Sequence, residues 1–211
     1  MFRVRLFLLS LLVVLGVSAV ASASASATEF FHKGGMAISG ALSIESLGGI
    51  QVLGLEVGGI RSEIECKHAD NRGTVENVNG MGLGLALIIL LSCVVPKPSG
   101  SNCLVSGGSI HFVHVHLLAT GTATVPLVEI KPALSTTFVT VTYDGCTGGF
   151  VALNKSFNLT GALVAAADNT TGELEFKIGA PNNKFIFAGE EATYVGNDKV
   201  AMTGGGEIEV R

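Results

Sequence analysis

The stretch SIHFVHVHLLATG, Ser109 to Gly121, carries three of the chain's five histidines within six residues. Imidazole is the commonest side-chain ligand for transition metals, so a cluster of this density asks for a metal reading first. On a β-strand successive side chains alternate between faces. His114 and His116 therefore share one face with Ile110, Phe112 and Leu118, and His111 points the other way. Two imidazoles on one face could hold an ion, but a closed site needs further ligands. Glu129, the next acid downstream, could supply an oxygen only from another direction. The expectation is that these histidines are packed at a strand edge or solvated, with a metal pair at His114 and His116 as the alternative.

Other arrangements also invite a chemical reading. Glu63 with Glu65, Glu173 with Glu175, and Glu207 with Glu209 each place two carboxylates on one strand face, about 7 Å apart, within range for acid and base work on a glycosidic bond. Paired acids acting on sugar need an aromatic-lined cleft, and the chain has no Trp and only two Tyr, Tyr143 and Tyr194. Glutamates alternating on the wet face of an antiparallel sheet account for them more simply. Cys146, within Asp144-Gly-Cys-Thr-Gly148, could be a nucleophile, but no histidine lies near it in sequence to take its proton. No G-x-S-x-G elbow, phosphate loop or zinc-protease helix motif occurs. No catalytic residue and no cofactor are expected.

The elements that would position these residues are strands. Ile50 to Val57, Thr136 to Tyr143 and Leu174 to Ile178 alternate with a period of two and are rich in β-branched or aromatic residues. Asp70 to Gly73, Asp168 to Gly172, Pro181 to Asn183 and Gly196 to Asp198 have the composition of turns. No capped amphipathic helix is evident downstream of residue 27. The pattern predicts an all-β fold, an antiparallel β-sandwich, with a closed or partly open β-barrel as the alternative. Met81 to Val95, MGLGLALIILLSCVV, is apolar at both parities and too short to span a bilayer comfortably. It is expected to be a central strand covered on both faces, with Leu85, Leu87 and Ile89 on one side and Ala86, Ile88 and Leu90 on the other.

Compartment follows from the first residues and from cysteine. Arg3 and Arg5 precede an uncharged apolar run, Leu6 to Val20, and the small residues Ala21 to Ala27 offer A-x-A sites, so residues 1–27 read as a signal peptide cleaved after Ala27. Residues 28–211 are then a single all-β domain, secreted or otherwise extracytoplasmic, without stable membrane insertion after cleavage. The formal net charge of −4 becomes −6 once Arg3 and Arg5 leave, which argues against nucleic acid as a partner. Four cysteines, Cys66, Cys93, Cys103 and Cys146, allow three pairings. Cys93 and Cys103 flank the Pro-, Ser- and Gly-rich VVPKPSGSN and look like the base of a bridged hairpin tip, leaving Cys66 for Cys146.

Ile64-Glu-Cys66-Lys67, Gly73-Thr-Val-Glu76, a strand ending at Cys93, a short loop to Cys103 and Gly107-Gly-Ser-Ile110 together resemble a group of uncharacterised exported bacterial proteins. The likeness covers roughly Ile60 to Cys146 and implies export, disulfides and β structure, with no activity to carry over. Gly108 followed by His114-Val-His116 also resembles the start of the first cupin motif, which places a metal-binding H-x-H pair on a barrel strand. The carboxylate that motif wants four or five positions after the second histidine is absent, with Thr120 and Gly121 standing there, and the second cupin motif has no counterpart downstream. The sequence thus points to a non-catalytic binding or structural module of the cell envelope or extracellular space, its ligand unspecified. The alternative is a small cupin-like metal binder or metal-dependent enzyme using His114 and His116.

Overall fold

Alternating burial along long strands organises the chain, as the period-two pattern predicts. A computed structural model describes residues 30–122, 124–176, 184–203 and 205–211. Its strands begin with β1 (Phe31–Lys33), β2 (Met36–Ala37), β3 (Leu42–Gly48), β4 (Gln51–Val57), β5 (Ile60–Val78) and β6 (Met81–Lys97). They continue with β7 (Leu104–Val105), β8 (Ser109–Thr122), β9 (Val125–Pro132), β10 (Thr137–Asp144) and β11 (Ser156–Asp168). The last are β12 (Glu173–Phe176), β13 (Lys184–Phe187), β14 (Glu190–Glu191), β15 (Thr193–Met202) and β16 (Glu209–Val210). The only helical pieces among the described residues are two short 3₁₀ segments, Ser106–Gly108 and Gly148–Leu153.

The antiparallel sandwich has one half whose ladder closes on itself. Pairing runs β11–β12–β15–β3–β5–β6–β8–β9 and returns to β11. In the other half β4 joins β5 and β15, while β10 and β13 flank β11. Aromatic side chains fill the space there: Phe138 packs edge-on against Phe112 and Phe185, and Tyr143 and Phe187 both contact Phe157.

A small sheet, β16–β1–β2, brings the two ends of the described chain together, and asparagines hold it. Asn77 receives the Phe31 N–H and donates to the Phe31 carbonyl, both at 2.9 Å. Asn169 does the same for Val210, at 2.8 and 2.6 Å, and Asn154 for Cys146, at 2.7 and 2.9 Å. Each amide thus completes the hydrogen bonding of one residue's backbone, as a neighbouring strand would.

Several expectations are corrected. Asp70 to Gly73 is no turn but mid-strand in β5, and Gly196 to Asp198 lies within β15. Asn71 and Asp198 are buried there, as described below, whereas Asp70 and Arg72 lie on the outer face and Asn197 is exposed. Asp168 to Gly172 does turn, whereas Pro181 to Asn183 and Ile178 fall outside the described residues. Met81 to Val95 is a central strand, β6, but only one face is covered. Ala86, Ile88 and Leu90 are buried, while Leu85 is 42% and Leu87 37% exposed.

The disulfides are also paired differently from the hairpin-tip expectation: Cys66 with Cys93, and Cys103 with Cys146. Cys93 lies within β6, directly opposite Cys66 on β5, so register puts them together. Beyond Lys97 the chain turns back to place Cys103 beside Cys146. Thr147 N–H donates to the Ser101 carbonyl there at 2.7 Å, and β7 pairs with β10 at Tyr143 and Asp144.

Candidate functional site

The histidine strand comes first. The β6–β8 register slips between Ala86 and Ile88, and at that bulge His114 has φ of 55°. A bulge adds one residue and reverses the facing of everything beyond it. Phe112 and Val115 are consequently both buried, and His111, His114 and His116 are all exposed. His116 therefore stands on the outer surface with His111, not on the inner face with Ile110 and Phe112. The sequence-based facing is overturned by one inserted residue that no side-chain pattern announces. Ser109 Oγ lies 3.0 Å from His111 Nε2. Among the described residues no group of three or more His, Cys, Asp or Glu side chains could hold a metal ion.

Cys146, Glu63, Glu129 and Glu209 are engaged structurally. Cys146 is bonded to Cys103, which removes the thiolate a nucleophile would need. Glu63 is paired with Lys97 at 2.7 Å, and Glu129 with Lys131 at 2.8 Å. Glu209 accepts the Gly35 N–H at 3.1 Å, tying the turn of β1–β2 to β16.

Sequence reasoning missed a polar cluster inside the closed half. Asp198, 4% exposed, receives Gln51 Nε2 at 2.9 Å on one carboxylate oxygen and Asn71 Nδ2 at 3.1 Å on the other. Asn71 also donates to Ser46 Oγ at 2.7 Å, and its carbonyl accepts the Ile89 N–H at 3.3 Å. Glycines make the room, since a Cβ at Gly48 would run into Asp198 and one at Gly196 into Gln51. Burial raises the Asp198 carboxyl from 3.8 to about 6, with the Asn71 hydrogen bond opposing. Tyr194 is pushed well above its ordinary value, by burial first and then by the Asp198 charge. The cavity beside Asp198 is about 30 Å³, room for water but not for a substrate. The signal lay in the two turn-like segments, Asp70 to Gly73 and Gly196 to Asp198, whose Asn71 and Asp198 sit in strand interiors.

No protein-family model, curated protein or solved structure matches this chain.

The outer face of β6 is the other feature that chemistry must account for. Leu83, Leu85, Leu87, Ile89 and Leu91 form a column down the middle of the β5–β6–β8 surface. Register places Glu76, Thr74, Arg72, Asp70 and His68 along its β5 side. On the β8 side stand Leu118 opposite Leu83, His116 opposite Leu85 and His111 opposite Ile89, and Lys131 of β9 follows His116. At one end Leu83 and Leu85 floor a depression of about 340 Å³ between Glu76 on one rim and His116 and Lys131 on the other. An apolar floor with a polar rim is the anatomy of a protein-binding surface. Among the described residues no helix is long and apolar enough to cross a membrane.

Proposed function

We propose that this chain is a secreted, non-catalytic binding module of the cell envelope or extracellular space, docking through the outer face of β6. Residues 1–27 direct export, and residues 28–211 act as one β domain. The observation that carries the reading is a central strand whose inward residues are buried while Leu85 and Leu87 remain 42% and 37% exposed. Leaving such a column in water forgoes roughly 25 cal/mol for each Å² of apolar surface, a loss that a docked partner recovers. The two disulfides support an oxidising compartment. The Asp198 cluster supports a scaffold role, because both carboxylate oxygens are engaged by neighbouring amides. The resemblance to exported bacterial proteins is consistent with the same compartment.

Photo-crosslinking in the producing cells tests this. A benzophenone side chain at position 87 should give a discrete adduct, and one at Leu134, an 83% exposed loop position, should not. Equal labelling at both positions, or none at 87, would remove the docking reading.

A further inference from the structure

We infer that the occupant of the β6 face is a second copy of this chain, stacked face to face about a two-fold axis running along β6. The inference rests on the docking reading above and names its partner.

Charge selects the axis. A two-fold interface must be complementary to itself. An axis parallel to β6 lays the β5 side of one copy over the β8 side of the other and superposes the two leucine columns. Asp70 and His111 flank Ile89 on opposite sides, so each Asp70 meets the other copy's His111, twice by symmetry. Glu76, beside Leu83, comes within diagonal reach of the other copy's His116 and Lys131. An axis across the strands through Leu87 would instead lay Arg72 on the other copy's Arg72, a like-charge contact that specific interfaces avoid.

Size agrees with a reversible dimer. From Leu83 to Leu91 the column runs about 27 Å, and β5, β6 and β8, the strands that face outward together before the ladder curves away, present about 14 Å, roughly 400 Å² on each copy. The total of about 800 Å² is below that of stable specific interfaces and belongs with weak, transient contacts. Such a dimer should dissociate on dilution.

Sedimentation of the protein purified as its host produces it, from about 1 to 100 µM, tests the proposal. The average mass should approach twice the monomer mass at the top of the series. Leu87→Asp should raise the dissociation constant at least about tenfold while the near-ultraviolet spectrum stays native. Asp70→Lys should weaken association, and adding His111→Glu should restore it, as only the axis along β6 requires. A wild type that is monomeric throughout, a dimer indifferent to Leu87→Asp, or a double variant no better than Asp70→Lys would overturn the inference. A monomeric wild type that still crosslinks at position 87 to a different molecule removes the second copy but keeps the docking reading. Absence of any adduct removes both.

Discussion

Cys66 and Cys93 stand directly opposite each other on β5 and β6, with their Cα atoms 3.9 Å apart. That bridge pins the register of the hairpin whose outer face carries the leucine column. A one-residue slip would exchange the buried and exposed sets. Non-reducing peptide mapping should therefore find Cys66 with Cys93 and Cys103 with Cys146. Their sequence separations of 27 and 43 correspond to about 3.5 and 4 kcal/mol of chain-entropy stabilisation. Replacing both Cys66 and Cys93 with Ala should lower the denaturation midpoint accordingly. A Cys93–Cys103 peptide would contradict the register itself.

The bulge at His114 sets the expectation for metal. With three exposed imidazoles and, among the described residues, no group of three or more His, Cys, Asp or Glu side chains able to hold a metal ion, protein purified without a tag should hold well under one equivalent of transition metal by elemental analysis. Changing His114 and His116 to Ala should leave the melting temperature within a few degrees, about the range of ordinary surface substitutions. A stoichiometric metal lost with those two residues would reverse this.

Much of the fold was legible because strand periodicity and cysteine count are local properties of sequence. What escaped reading depended on register. Asn71 and Gly73 look like a turn in sequence. In β5, however, Asn71 is a buried hydrogen-bonding hub, and a Cβ at Gly73 would press on the Ala86 backbone. The cysteine pairing follows strand alignment rather than loop length, so the short Cys93 to Cys103 span misled. The leucine column read as core because an apolar run carries no mark of which face the rest of the chain will cover.

Leu87 and Ile88 are chain neighbours on opposite faces of β6. Ile88 is 8% exposed and Leu87 37%. Ile88→Asp puts an unpaired ion in the core at a cost of several kcal/mol, against a total stability of about 5–15 kcal/mol. No folded protein should be recovered. Leu87→Asp faces water and should fold. Loss of both variants would show that the outer face is covered within the monomer, contrary to the structure.

Asn77 replaces a strand neighbour for Phe31, so Asn77→Asp, which keeps size but removes two donated hydrogen bonds, should loosen β1 selectively. Hydrogen exchange at Phe31 and Ile38 should accelerate by tenfold or more, about 1.4 kcal/mol of local opening energy. Uniform acceleration across β5 and β6 would instead indicate global destabilisation.

Asp198 makes stability depend on pH in the direction opposite to an ordinary ion-paired carboxylate. Its carboxyl is raised from 3.8 to about 6 in the folded chain, because burial penalises the charged form. The folded state then binds the proton more tightly than the unfolded state does. Stability from this group is fully present below 3.8 and is lost as pH rises through about 6. At 1.36 kcal/mol per unit the window is worth about 3 kcal/mol, or roughly 6–12 °C in melting temperature for a chain of this size. Asp168 works in the other direction. Its carboxyl is held below the usual value, first by the Thr170 backbone N–H, so its contribution disappears only under more acid conditions. Melting curves between pH 4 and 8 should show wild type gaining stability on acidification relative to Asp198→Asn, whose amide carries no titrating proton. Parallel profiles for the two proteins would mean that Asp198 is solvated or already neutral at pH 8, and the buried cluster would not be charged as described.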